Sequence, residues 1–193
     1  MDYFEKRNLH NKAMKQSNGQ LPNPTHLSRG EISTFAGQWF KQTQQKEARE
    51  FRELAKRLGV ELNFQVGEIQ ETSWKVSPYG IDMFSLSHFG FETDRLNIMM
   101  GFAMQQLYPA QAFEIRQFDF SEQAKKIKQE AQWFSWGALL PREQFEAKAV
   151  QLRGSVRDLA WHFHVKQSDI QSRAKSFDLD LSTFQASSPR MRP

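Results

Sequence analysis

Arg95-Leu96-Asn97-Ile98-Met99-Met100-Gly101-Phe102-Ala103-Met104 is the stretch on which the fold turns. It has no polar face for a surface helix and is too long for one strand. It therefore predicts a buried helix over 96–107, stopped before Pro109. A helix that is apolar all round needs neighbours on every side. Before it the period changes to two. Val60-Glu61-Leu62-Asn63-Phe64 alternates as a strand, Glu71 to Val76 with Trp74 is a second, and Met83 to Phe89 with Phe84 and Leu86 is a third. Pro78-Tyr79-Gly80 supplies a turn between them. After it, Ala112 to Phe120 alternates around Phe113, Ile115 and Phe118, giving a fourth strand. Ser121 then caps a long helix reaching about Leu140, with Ala124, Ile127, Ala131, Phe134 and Ala138 on its apolar face. Pro141 ends it and opens the next helix. The expected class is α+β, a small sheet packed on helices.

Outward from this centre, Ser28-Arg29-Gly30-Glu31 has the form of a capping box, and helical spacing follows to about Leu58. Ile32, Phe35, Ala36, Trp39 and Phe40 make one stripe; Phe51, Leu54, Ala55 and Leu58 make another. The polar run from Lys41 to Arg49 separates them, and Gly59 is placed to stop the helix. Residues 1–27 contain Ser17-Asn18-Gly19-Gln20-Leu21-Pro22-Asn23-Pro24, which is linker chemistry, and read as a flexible basic segment. Near the other end, Ser155-Val156-Arg157-Asp158 is an N-cap. Leu159, Ala160 and Phe163, a turn at His164-Val165-Lys166, then Ile170, Ala174 and Phe177 follow with helix-turn-helix spacing. The expected organisation is 1–27, a body over 28–152, a helix-turn-helix over 153–180, and a tail over 181–193.

Composition narrows the function classes. The chain has 193 residues, 39% hydrophobic and 25% charged, with 17 Phe and 5 Trp available for a core. It has 0 Cys, which excludes disulfides, thiolate zinc sites and cysteine catalysis. No apolar run reaches transmembrane length, and the polar N-terminus has no secretory h-region, so a cytoplasmic protein is expected. Of the net +4, residues 1–30 carry five Lys/Arg against two Asp/Glu, residues 31–150 carry 14 against 16, and residues 151–193 carry seven against four. The body is nearly neutral and both ends are basic, without the dense patch of a dedicated nucleic-acid binder. No Gly-rich phosphate loop, nucleophile elbow or paired-carboxylate motif occurs.

Three segments carry a resemblance. Glu130-Ala131-Gln132-Trp133-Phe134-Ser135-Trp136-Gly137-Ala138-Leu139-Leu140-Pro141 is similar to the pattern E-A-N-x-F-A-x-x-L-L-M-P. Asp158-Leu159-Ala160 to Val165, with Ile170 and Arg173, looks like L-A-x-x-F-x-V-S-x-x-x-V-x-x-R. Glu53 to Val60 resembles the entry to a first strand. Together, over roughly residues 30–180, they resemble the ImmA/IrrE family of zinc metallopeptidase-like proteins. Those proteins act on or bind repressors and regulators in mobile elements and stress responses. The resemblance implies a zincin-like metallopeptidase-type fold with a C-terminal helix-turn-helix.

It also implies a missing centre. The family's helix reads R-F-T-L-A-H-E-L-G-H, where this chain has residues 95–104. Both histidines become Met100 and Met104, the general-base glutamate becomes Gly101, and Glu130 alone keeps a suitable side chain at the third-ligand position. Two His at i and i+4 plus a carboxylate hold Zn²⁺, and the adjacent Glu takes the proton of the bound water. Thioethers bind Zn²⁺ poorly and glycine accepts no proton. The expectation is a pseudopeptidase with no cofactor and no metal, its methionines filling the emptied centre and Glu130 paired with Arg95. Two metal alternatives stay open: Cu(I) on Met99, Met100 and Met104, or a rebuilt zinc site from His88, Glu130 and a distant histidine. His162 and His164, at i and i+2, do not face one another on a helix. His10 and His26 fall in the segment read as flexible.

The second helix of the C-terminal pair offers Gln167, Ser168, Gln171 and Lys175 as an exposed surface for a partner or for DNA. Lys166 stands where the motif usually has a capping serine. Three functions follow in order. The first is a non-catalytic regulator that binds a protein such as a repressor or phage regulator. The second is a DNA-binding regulator using the helix-turn-helix. The third is a metalloprotease with a rebuilt site.

Overall fold

A computed structural model describes residues 3–17, 19–42, 51–66, 72–85 and 95–184. Among them are eight α-helices and a mixed four-stranded sheet, an α+β architecture. The helices are α1 (Tyr3–Gln16), α2 (Arg29–Gln42), α3 (Phe51–Leu58), α4 (Arg95–Leu107), α5 (Glu122–Leu139), α6 (Arg142–Gln151), α7 (Val156–Phe163) and α8 (Gln167–Ser176). The strands are β1 (Glu61–Val66), β2 (Ser73–Ser77), β3 (Gly80–Ser85) and β4 (Phe113–Arg116), in the order β1-β3-β2-β4. β1 runs parallel to β3, while β2 is antiparallel to both β3 and β4.

Local signals set the helix ends. The Ser28 N–H donates to Glu31 Oε2 at 2.7 Å and the Glu31 N–H donates to Ser28 Oγ at 3.3 Å, closing the capping box before α2. Gly59 takes a left-handed φ of 68° and releases the chain from α3 into β1. Ser121 and Ser155 accept from the Ala124 and Asp158 N–H groups at the starts of α5 and α7.

The sheet alternates. Trp74, Val76, Ile81 and Met83 are buried on the face that meets α4. α5 packs closely against both α2 and α4. A Cβ on Gly137 would lie 2.5 Å from the Ser33 carbonyl oxygen, so only glycine allows the α2–α5 crossing seen. The expected apolar face of α5, Ala124 to Ala138, is buried throughout.

The structure differs from the sequence reading of the elements in four places, one being that Leu181–Phe184, read as tail, forms a 3-10 turn with Leu181 in the core. Tyr3–Gln16, read as flexible, is a helix seated on the other face of the sheet. The fourth strand ends at Arg116, leaving Phe118 at 55% and Phe120 at 68% exposure. There the chain turns, and Lys128 Nζ binds the Gln117 and Asp119 carbonyls, so the alternation does not continue. The third strand occupies Gly80–Ser85 instead of starting at Met83, because Gly80 pairs with Glu61 and Ser77 across both neighbours. Leu86 to Phe89 and most of the polar run after Lys41 lie outside the described residues.

Candidate functional site

Met100 and Met104 lie one turn apart on α4, and Tyr108 continues the same face, its N–H donating to the Met104 carbonyl at 3.0 Å. Met99 and Met104 are fully enclosed and Met100 is 8% exposed, so all three are packed as core. Gly101 faces the sheet. A Cβ there would stand 2.9 Å from Ile81 Cγ2 and 3.4 Å from Trp74 Cδ1. The bare backbone lets the Trp74 indole N–H reach the Asn97 carbonyl one turn earlier, at 2.8 Å. At Gly101, α4 thus lies against β2 and β3 where a longer side chain would stand.

Glu130 comes from α5 and is buried. Its Oε2 accepts the Tyr108 hydroxyl and, at 3.0 Å, the Thr25 N–H. Tyr108 thereby brings the carboxylate to the end of the methionine face. Burial, then the hydrogen bond and charge of Glu130, push the Tyr108 phenol well above its ordinary range, so it remains a donor. Arg95 is not the partner of Glu130. Its guanidinium donates to the Phe163 carbonyl at 2.6 Å, at the C-terminal end of α7, where a cation meets the negative pole of the helix. Burial lowers the Arg95 pKa to about 10.

The donor set does not suit zinc. Two neutral thioethers and one carboxylate already holding two hydrogen bonds offer neither imidazole nor a base. Among the described residues no three His, Asp or Glu side chains are grouped to hold a metal. His88 lies outside the described residues, and His10 is committed elsewhere.

That other place was hidden from sequence reasoning. His10 is the fully buried side chain of α1, where its described neighbours Lys6, Arg7, Leu9, Ala13 and Met14 are half-buried. Its Nδ1 lies 2.7 Å from Ser77 Oγ and its Nε2 3.2 Å from Asp82 Oδ2. Arg7 also binds Asp82, and Asn63 Nδ2 donates to it at 3.0 Å. Burial would raise the Asp82 carboxyl, but His10, Arg7 and Asn63 outweigh it and hold the pKa at about 2. Serine, histidine and aspartate here have the composition of a nucleophilic relay, yet the trio is sealed. Histidine leaves with α1 if the helix lifts, so access and assembly exclude one another. The trio fastens α1 to the sheet. Separations of 67 and 72 residues left no local signal for it.

The C-terminal pair, α7 and α8, is joined by His164-Val165-Lys166. His164 adopts the left-handed conformation usually given to glycine, and Val165 N–H returns to the Ala160 carbonyl at 3.1 Å. Lys166 offers no capping side-chain oxygen. Instead Asp169 accepts its N–H at 3.1 Å. Gln167, Ser168, Gln171 and Lys175 are all exposed on α8. Gln171 and Lys175 line an open groove of about 540 Å³ with Val156, Leu181, Asp178 and Asp180. The opposite side of α8 is anchored in the body. Arg173, buried, donates to the Leu140 carbonyl at 3.0 Å and the Trp136 carbonyl at 3.5 Å, and lies 4.0 Å from the Phe177 ring. Burial, with Arg29 and Arg142 nearby, lowers its pKa to about 9. One hydrophobic core runs from α2 through α8.

No family model and no curated protein matches the chain. Among solved structures, a Mycobacterium tuberculosis transcriptional regulator is similar, with a TM-score of 0.55 at 14% identity over 100% of this chain. The match covers 65% of that chain, so this protein spans about two thirds of its length. The likeness is one of fold: the α+β frame described above is shared with a transcriptional regulator.

Proposed function

We propose that the chain is a non-catalytic regulator that binds a protein partner, built on the frame of the ImmA/IrrE metallopeptidases, a zincin-like core followed by a helix-turn-helix. One observation carries the reading. At the positions of the family's catalytic helix the chain packs Met100 and Met104 as core, and seats Gly101 2.9 Å (from its would-be Cβ) from a buried sheet methyl. Glu130, the relict ligand, is bound by the chain itself. The fold shared with a transcriptional regulator supports a regulatory context. A repressor or mobile-element regulator in the cytoplasm is the partner this family resemblance suggests.

The test is capture of the tagged full chain from its native cell after nuclease treatment, with mass spectrometry of what it holds. An intact stoichiometric regulator is expected. Metal-dependent cleavage of that regulator, abolished by Glu130→Ala, overturns the proposal.

A second reading, DNA binding through α8, draws on the exposure of Gln167, Ser168, Gln171 and Lys175. It is the weaker one, because Asp178 and Asp180 share the groove of Gln171 and Lys175 and would repel phosphate. It requires duplex binding that falls steeply with salt and a change of sequence preference in Gln171→Ala. No duplex binding at low salt removes it.

A further inference from the structure

Trp161, on α7, is 79% exposed, more than any other large hydrophobic side chain among the described residues. The fold does not use it. Leu159, Ala160 and Phe163 form the buried side of α7, Ser155 caps its start, and the left-handed His164 closes its end. An indole is the largest apolar surface a side chain can offer a partner, and in water that contact goes unused. Arg157, also exposed, stands one turn earlier on the same face of the helix. An exposed Trp beside an exposed Arg is the composition of interface hot spots.

The charge around it is positive. The His164 ring lies 6.4 Å from the indole. Lys148, from α6, donates to the neutral amide of Gln151 at 2.7 Å. Burial lowers the pKa of His162, and the neighbouring Lys148 and His164 lower it further, as a positive field does. Of the acids on these two helices, Glu143 and Asp158 sit in first turns, where the positive helix ends answer them, and Glu146 is held by Arg142 at 2.6 Å. Resting on the partner-binding role proposed above, we infer that Trp161, Arg157, Lys148, His162 and His164 form a docking surface for an acidic segment of a protein partner, whose apolar side chain covers the indole while flanking carboxylates meet the cations.

Charge spacing selects a protein over a nucleic acid. A phosphate backbone carries a charge at every nucleotide and is met by a dense basic track. Here Arg157 and Lys148 come from different helices, His162 is neutral at pH 7 because its pKa is lowered, and Asp158 directly follows Arg157. Separate cations beside one indole match discrete carboxylates around one apolar side chain. The surface is also preformed. Arg157 and Trp161 stand on a helix whose other side is fixed in the core, so binding orders little backbone.

The probe is a labelled synthetic peptide, Gly-Asp-Glu-Leu-Phe-Glu-Asp-Gly, titrated into the full chain. Its counterpart with lysine at each acidic position and an oligothymidine strand serve as comparators. The acidic peptide is expected to bind and the lysine peptide not to. Trp161→Ala and Arg157→Glu are each expected to weaken binding at least about tenfold, whereas Lys175→Ala on α8 leaves it within about twofold. Both surface variants keep the urea unfolding midpoint of the wild type, because neither side chain is packed in the core. Tryptophan emission is expected to shift to the blue as the peptide covers the indole, and Trp161→Ala to lose that shift. No binding of the acidic peptide, or binding indifferent to both substitutions, overturns the inference. Tighter binding of oligothymidine than of the peptide, lost in Trp161→Ala, assigns the surface to nucleic acid and also overturns it. A captured regulator held equally by wild type, Trp161→Ala and Arg157→Glu removes this surface alone. Metal-dependent cleavage of that regulator removes the regulator reading itself.

Discussion

Replacing Gly101 by glutamate installs the residue that the resembled family carries there and tests whether this helix still has room for it. The Cβ alone would sit 2.9 Å from Ile81 Cγ2 and 3.4 Å from Trp74 Cδ1, where carbon atoms rest at about 3.5–4.0 Å. Ile81 and Trp74 are buried in the sheet, and Cγ2 branches from the Ile81 Cβ, so α4 itself must move. Overpacking of this kind costs about 1–3 kcal/mol, and the helical preference of alanine over glycine offsets about 1 kcal/mol of it. Gly101→Ala is therefore expected to lose between about 0 and 2 kcal/mol. Glutamate adds an unpaired buried carboxylate, a penalty of several kcal/mol, and disturbs the Trp74–Asn97 bond. A total loss of at least about 4 kcal/mol is a large part of the roughly 5–15 kcal/mol that holds a domain together. It lowers Tm by about 8–16 °C at this chain length. Guanidinium unfolding followed by tryptophan fluorescence measures it, since Trp74 reports from the contact itself. Gly101→Gln separates volume from charge. A Gly101→Glu protein within about 1 kcal/mol of the wild type would refute the packing argument and reopen the base position.

Two further predictions concern the buried ions. Asp82, held at about 2 against an ordinary 3.8, adds roughly 2 kcal/mol of stability that is present above about pH 4 and is lost as pH falls toward 2. Denaturation at stepped pH should show this slope in the wild type and not in Asp82→Asn; the same slope in both would remove the fastening role given to His10, Arg7 and Asn63. Arg173→Met keeps the volume but strips donors from the Leu140 and Trp136 carbonyls, for an expected loss of about 2–3 kcal/mol in urea unfolding. Arg173→Lys should recover less than half of it, because an ammonium cannot span both carbonyls as the planar guanidinium does.

Much of the fold is written locally. The Ser28–Glu31 box, the Gly59 stop, the Ser121 and Ser155 caps and the two hydrophobic periods place seven helices and most strand residues, since each depends on groups within about one turn. α1 was not legible, because what orders it is Asp82 and Ser77, more than sixty residues away, and its own sequence has no apolar stripe strong enough to predict docking. Phe118 and Phe120 misled for the opposite reason: alternation says which residues share a face, but whether that face is covered depends on where the chain turns.

The candidate centre divides in the same way. From the sequence alone came the reading, carried by the resemblance, that Met100, Gly101 and Met104 stand where imidazole and a carboxylate base would be needed, and that thioethers and glycine do not suit zinc. Only the tertiary structure decided that Gly101 fills no groove but lets α4 touch the sheet, that Glu130 answers to Thr25 and Tyr108 and not to Arg95, and that Arg95 and Arg173 stitch the C-terminal helices to the body. Side-chain chemistry travels with the residue and can be read in one dimension. The partner of a buried charge, and the space left beside a glycine, are fixed by whatever distant segment the fold brings within a few ångströms.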